Sequence, residues 1–482
     1  MALNQRDILK LAINVGIPSA LLVGVILARL WQGARTKLSS KVAADEAAAR
    51  GAVAFQAGRY AEAVEEFSRV MELAPSQAAP YYNRGAAYLE MNDLTRGMAD
   101  LDEAIRRDPQ DASAYYRRGT VHNGLDNYPA AVADYTRAIE IRPDQPHYYN
   151  SRGVSYESQG GQEKALADYT RALKVDPEFF QAYRNRGILL SSRGKTVEAI
   201  EDFNRALEIR PQAAEVINLR GIQRYILGNF SQAIEDYTAA IALSPQSSDF
   251  YSNRGYSHRD IGQLRQAHAD FERALQLHPQ NAHALCGRGW TWIFQKNFEA
   301  ALIDFDNAVQ AEPDGATGHS GRAQALIRLR RGREALAAAE RACQIDPSEG
   351  LPARGQVKLG LGQYESGFRD LKEGFRLKPQ NANLANQIAW ARAVLPDPTV
   401  RNPQEALDYS QQACALTGKR NRNFLDTRAA ALADAGRWEE AVELQQQLAE
   451  SGSQRSREYA LRLELYQRRQ PYREDFWGAP VA

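Results

Sequence analysis

An all-helical array of short repeats is the fold the sequence predicts, and three observations carry that reading. First, glycines stand 34 residues apart at Gly51, Gly85, Gly119, Gly153, Gly187, Gly221, Gly255 and Gly289. Second, prolines keep the same step, from Pro75 and Pro109 through Pro143, Pro177, Pro211, Pro245, Pro279 and Pro313 to Pro347. Third, the apolar residues between these landmarks follow helical spacing, i, i+3, i+4, i+7. A fixed period of this length marks an array whose repeats bury their apolar faces only against their neighbours.

The period defines positions within one repeat, with the marker glycine at position eight. Position four is Tyr81, Tyr115, Tyr149, Tyr183 or Tyr251, and position eleven is Tyr88, Tyr156 or Trp292. Together with positions seven and eight they form one stripe of a first helix. A second helix carries a small residue at position twenty (Ala63, Ala131, Ala165, Ala199), a ring at twenty-four (Phe67, Tyr135, Tyr169, Phe203) and usually alanine at twenty-seven. Glycine against alanine lets the two axes approach, and the ring fills the space beside them. The proline stops the second helix because it cannot continue the hydrogen-bond ladder.

This pattern resembles the tetratricopeptide repeat. The resemblance implies an all-α solenoid, coiled as a right-handed superhelix, of about twelve helix pairs plus a C-terminal capping helix. It also implies a concave groove lined by positions two, five, six, nine, twelve and thirteen of the first helices. Carried onto this chain, the resemblance names Tyr82, Asn83, Tyr116, Arg117, Asn150, Arg184, Asn185, Asn218 and Asn253 as the partner-binding residues. Asparagine suits an extended peptide because its amide both donates and accepts, and tyrosine adds flat contact area at small entropic cost. The clamp that chaperone-binding relatives use for C-terminal carboxylates wants lysine at five and asparagine at nine. Position nine here is Ala86, Thr120, Val154, Ile188 or Ile222, so the clamp is unmatched.

Four segments are expected: 1–43 as a transmembrane anchor and basic linker, 44–379 as ten regular repeats, 380–450 as divergent repeats, and 451–482 as a capping helix and tail. Leu11 to Ala28 holds no charge and would span roughly 27 Å as a helix, so residues 8–31 are expected to cross a membrane once. A cleaved secretory signal is one alternative, though Arg29, Leu30 and Trp31 follow where small residues would be wanted, and a peripheral or buried helix is another. The flanking cations Arg29, Arg35, Lys37 and Lys41 lean towards a bacterial cytoplasmic membrane with the array on its cytoplasmic side. In the last third, IAWARAVLPDP, LDTRAAALADAGRWEEAV and LRLELYQRRQPYRE resemble the ending of many bacterial repeat proteins.

Position seven departs from the general repeat pattern. It is arginine from Arg50 and Arg84 through Arg322 and Arg354, answered by an acid at twenty-three (Glu66, Asp100, Asp134, Asp168, Asp202, Asp236, Asp270, Asp304, Asp370). Matched signs favour a ladder of ion pairs between packed helices over an anion-binding row. Only Arg322 faces Ala338, which predicts a softer, pair-less joint.

The remaining signals exclude more than they assign. A net charge of +1 with 25% charged residues offers no field for nucleic acid. Cys286, Cys343 and Cys414 lack metal-ligand spacing and read as core residues; His278 and His283 sit in an inter-repeat turn without a completing ligand set. Gly360 and Gly362 follow no strand, so they form no dinucleotide fingerprint. No catalytic residue, cofactor or metal is expected. The expectation is a membrane-anchored, non-catalytic scaffold for a protein or peptide, or alternatively an envelope-complex assembly factor or the recruiting subunit of a separate enzyme.

Overall fold

The computed structural model describes residues 19–417, 421–450 and 456–476. Among them are 25 helices and no β-strand, arranged as helix pairs with one extra helix at the end. The fold is the all-α solenoid that the period predicts. Its contacts divide the chain into two compact units, Met1–Gln212 and Ala213–Ala482.

In the first compact unit, repeat two shows how the pairs form. Its helices are Ala79–Glu90 and Leu94–Arg107. Asp93 caps the second by accepting from the Arg96 amide at 3.0 Å, and Pro109 follows its end. Between the helices, Asn92 takes φ +60°. The equivalent residue is left-handed in every other repeat except the eleventh: glycine at Gly58, Gly160, Gly194, Gly228, Gly262, Gly362 and Gly436, but Asp126, Lys296 and Arg330 elsewhere. This residue reverses the chain after the first helix, which glycine does at no steric cost.

Marker glycines are required by proximity. A Cβ on Gly187 would lie 2.6 Å from Phe203 Cε1, and one on Gly153 would lie 2.7 Å from the Tyr169 ring. Those rings and the alanines at twenty and twenty-seven are fully buried in repeat after repeat, as at Ala199, Phe203 and Ala206. Each repeat thus contributes a small two-helix core that its neighbour completes.

The second compact unit continues the pattern and then varies it. Repeat eleven is Ala382–Val394 and Pro403–Leu416, with a long connection between; repeat twelve is Arg422–Asp434 and Trp438–Ala449; the final helix is Ser456–Gln467. Arg462 of that helix reaches back to Asp426 at 2.8 Å with both side chains buried, a pair that locks the last helix onto the array. Here a buried charge is tolerated because its partner is equally buried.

The membrane expectation is corrected. No helix among the described residues is long and apolar enough to cross a membrane. Of the segment expected to span, residues 8–18 lie outside the described residues. The rest opens one 38-residue helix, Ser19–Gln56, that runs unbroken through the basic stretch into repeat one. Its apolar part ends at Arg29, and Trp31 is 66% exposed beside it. A single-pass location in a cytoplasmic membrane, with a sidedness read from its flanking charges, therefore has no support.

Candidate partner-binding groove

Positions five and six lie on the first helix beside the packed stripe, so their side chains are half-buried rather than free. Tyr82 and Asn83 sit this way on Ala79–Glu90. At three junctions, position five of one repeat joins position six of the next. Tyr116 and Ser151 share a hydroxyl contact at 3.3 Å, and Asn185 Nδ2 donates to Asn150 Oδ1 at 3.0 Å. In the second compact unit Asn253 Nδ2 donates to Asn218 Oδ1 at 2.9 Å. Arg184 donates to Asn185 Oδ1 at 3.2 Å, and Arg117 lies 3.5 Å from Glu90. The structure therefore joins Asn150, Arg184 and Asn185 into one chain and Asn218 with Asn253 into another. These bonds leave Asn150 Nδ2 and Asn253 Oδ1 outside them.

Tyr116 is also the centre of an aromatic cluster. Its ring centroid lies 4.9 Å from both His147 and Tyr148 and 5.6 Å from Tyr135. Burial pushes the Tyr135 phenol up to about 12, and burial together with Arg142 holds His147 below its ordinary value. Tyr116 and Arg117 line a cavity of about 540 Å³ with Glu90 and Thr120.

The arginine–acid ladder forms as the spacing implies. In repeat five Arg186 Nε and Nη2 donate to the two oxygens of Asp202 at 2.8 and 2.7 Å; repeats two, three, four, six, seven, eight and ten repeat this fork. The remaining nitrogen, Nη1, reaches position twenty-five of the preceding repeat: Ser68 from Arg84, Asp102 from Arg118, Thr136 from Arg152, Thr170 from Arg186 and Thr238 from Arg254. Each of these five arginines thus ties three helices. Sequence reading missed this third partner, although a hydrogen-bonding side chain recurs at the 34-residue step and signals it.

The pair-less joint at Arg322 is likewise corrected. Its Nε lies 2.7 Å from Asp306, the position-twenty-five residue of the preceding repeat, without the alignment of a hydrogen bond. The arginine keeps its inter-repeat partner and lacks only the one within its own repeat, where Ala338 is buried.

A second and larger cavity, about 700 Å³, lies in the second compact unit along the first helices of repeats eight to eleven. Its walls come from the groove positions that the resemblance implies: Trp290 and Phe294, Gln324 and Arg328, Gln356, and Trp390. None of these is among the residues singled out from the sequence, which stop at Asn253. Elsewhere, His283 stacks on Tyr256 at 4.3 Å, and burial pushes the Cys286 thiol up to about 12. Both residues lie within the helix Ala282–Phe294, so His283 is not in the inter-repeat turn the sequence suggested, and both features describe packing between helices.

Comparison with known proteins agrees with this architecture. A family model described as "Tetratricopeptide repeat" matches residues 82–146, 151–214, 252–316 and 294–350, and another described as "TPR repeat" matches 51–92 and 221–262. The Hsp70-Hsp90 organizing protein of Triticum aestivum is 42% identical over 60 residues, 12% of this chain. The chain spans only 10% of that relative's length. YrrB, a TPR protein with an unusual peptide-binding site, shares 24% identity over 38% of this chain and 95% of its own, at a TM-score of 0.34. The APC/C hetero-tetramer Cut9-Hcn1 shares 14% over 81% of this chain and 96% of that one, at 0.45. A repeat protein of Parabacteroides merdae shares 21% over 52% of this chain and all of its own, at 0.42. Similarities of this order carry no functional information. The two family models together run from residue 51 to residue 350 with only short gaps, and they fall on the helix pairs described above: the chain belongs to the tetratricopeptide repeat family.

Proposed function

We propose that this chain is a non-catalytic scaffold that holds an extended protein segment along the first helices of its repeats. Proteins of this repeat family generally mediate protein–protein interactions, and the finer reading rests on one observation. The amide bridges Asn150–Asn185 and Asn218–Asn253 link neighbouring repeats while leaving an amide donor at Asn150 and an acceptor at Asn253. An extended backbone offers the complementary pair at every residue. Pre-positioned side chains also lose little entropy on binding. Tyr82, Asn83, Tyr116, Arg117 and Arg184 complete the surface.

A photocrosslinker placed at Tyr116, with a control at Arg137 on the second helix of the same repeat, tests the reading. A discrete adduct from Tyr116 alone is the expected result. Equal adducts at both positions would rule out the groove as the working face.

A further inference from the structure

Gln470–Phe476 follows the final helix and turns back into the second compact unit. Two parts of it differ in kind. Tyr472 and Arg473 are an anchor: Tyr472 is buried beneath the Arg462 guanidinium at 4.6 Å, and Arg473 donates to Asp434 at 2.6 Å and to the Ala393 carbonyl at 2.8 Å. Glu474, Asp475 and Phe476 go further and enter the 700 Å³ cavity. The Glu474 amide donates to the Val394 carbonyl at 3.1 Å, and its carboxylate accepts from Trp390 Nε1 at 2.5 Å. Phe476 lies under the Arg328 guanidinium at 5.6 Å and fills the space over Gly360, where a Cβ would meet its ring at 2.6 Å. One backbone bond, one carboxylate on an indole N–H and one ring beneath a cation is how an extended peptide is read by a groove.

Glu474–Phe476 do not exhaust the site. Arg328 makes no ion pair among the described residues. Phe294, a groove-position ring in the cavity wall, is 62% exposed. Asn386 Oδ1, also in the wall, is buried and accepts no hydrogen bond among the described residues. An aromatic platform and an unmet acceptor remain for a ligand longer than three residues, next to an arginine that the tail engages through the Phe476 ring.

We propose that the groove of repeats eight to eleven recognises an extended acidic–aromatic segment of a partner protein, glutamate two residues before phenylalanine, and that the chain's own Glu474–Phe476 competes for it. This rests on the scaffold reading and assigns it a second, separate surface. A tethered competitor acts at high effective concentration, so a free ligand sees affinity reduced by the open fraction.

The test uses the full chain and a labelled synthetic peptide, Tyr-Arg-Glu-Asp-Phe-Trp-Gly-Ala-Pro, with a scrambled control. Glu474→Ala with Phe476→Ala should bind the peptide about tenfold more tightly than the unaltered chain. Adding Phe294→Ala and Arg328→Ala should abolish that gain. The anchor Tyr472–Arg473 is kept, so the fold is retained, and melting temperature checks it. If the double variant melts lower and gains no affinity, the tail is a structural terminator and the proposal is overturned; binding that survives the groove substitutions, or equals that of the scrambled peptide, overturns it too. Crosslinking at Tyr116 reports on the other compact unit, so the scaffold reading fails or stands independently.

Discussion

Replacing Arg186 by methionine keeps the aliphatic stem of the ladder and deletes its charge. The change removes two hydrogen bonds to Asp202, at 2.8 and 2.7 Å, and one to Thr170 at 3.2 Å. Breaking one side of a buried pair costs about 3–5 kcal/mol, mostly by stranding the other charge. Here the stranded group is Asp202, whose side chain is 6% exposed, against 22% for Arg186. Arg186→Met is therefore expected to cost about 3–4 kcal/mol, and Asp202→Leu, which strands the better-hydrated arginine, about 1–3 kcal/mol. The double variant should recover to within about 2 kcal/mol of the original chain, because no charge is left unpaired. Repeat arrays open locally, so the readout is amide exchange in Phe180–Ser192 and Thr196–Ile209 rather than a single melting point. Single-substitution costs below about 1 kcal/mol, of the size found for surface pairs, would show that the ladder does not hold the helices together. So would a double variant as unstable as the two singles summed.

Other expectations follow from the same geometry. Gly187→Ala drives a methyl into Phe203 and should destabilise repeat five by about 1–3 kcal/mol in amide exchange. Arg330→Gly relieves a left-handed residue at φ +58° and should slow exchange in Ala316–Arg328, a gain of about 0.5–1 kcal/mol that unchanged rates would contradict. Burial pushes the Asp370 carboxyl up, but hydrogen bonds from Arg354 and Lys358 outweigh it and hold the group below its ordinary value; burial is likewise outweighed at Glu405 by Lys372 and Arg392. Both acids therefore bind protons less readily folded than unfolded. Their contribution to stability is present above about pH 4 and lost as pH falls through the folded values. Asp370→Asn should flatten that acid limb in exchange of Pro347–Gly360 and Tyr364–Leu377, and an unchanged limb would refute the assignment.

The regular array was legible because each repeat solves one local packing problem. Gly187 and Ala199 must be small where Phe203 is large, and that arithmetic recurs every 34 residues. The ladder was legible for the same reason, since Arg186 and Asp202 pair within a repeat. What joins one repeat to the next was harder to read. Thr170 is an unremarkable helix residue until Arg186 reaches it, and Asp306 supplies a partner that position twenty-three of its neighbour lacks. The asparagine bridges belong to this class as well: Asn150 and Asn185 were named for a ligand and were found bonded to each other. The tail was illegible, because Glu474 meets Trp390 across 84 residues and no period connects them. At the other end, the apolar run suggested a span, yet its described part ends after ten residues at Arg29, inside a helix that continues into repeat one.

The central claim is that bridged side chains between neighbouring first helices form the partner surface. Its most direct test is crosslinking from Tyr116 in the unaltered chain and in a variant carrying Asn150→Ala and Asn185→Ala. The account predicts a discrete adduct that falls at least tenfold in the variant, with helical content and melting temperature unchanged. An adduct of equal yield in both chains would contradict it.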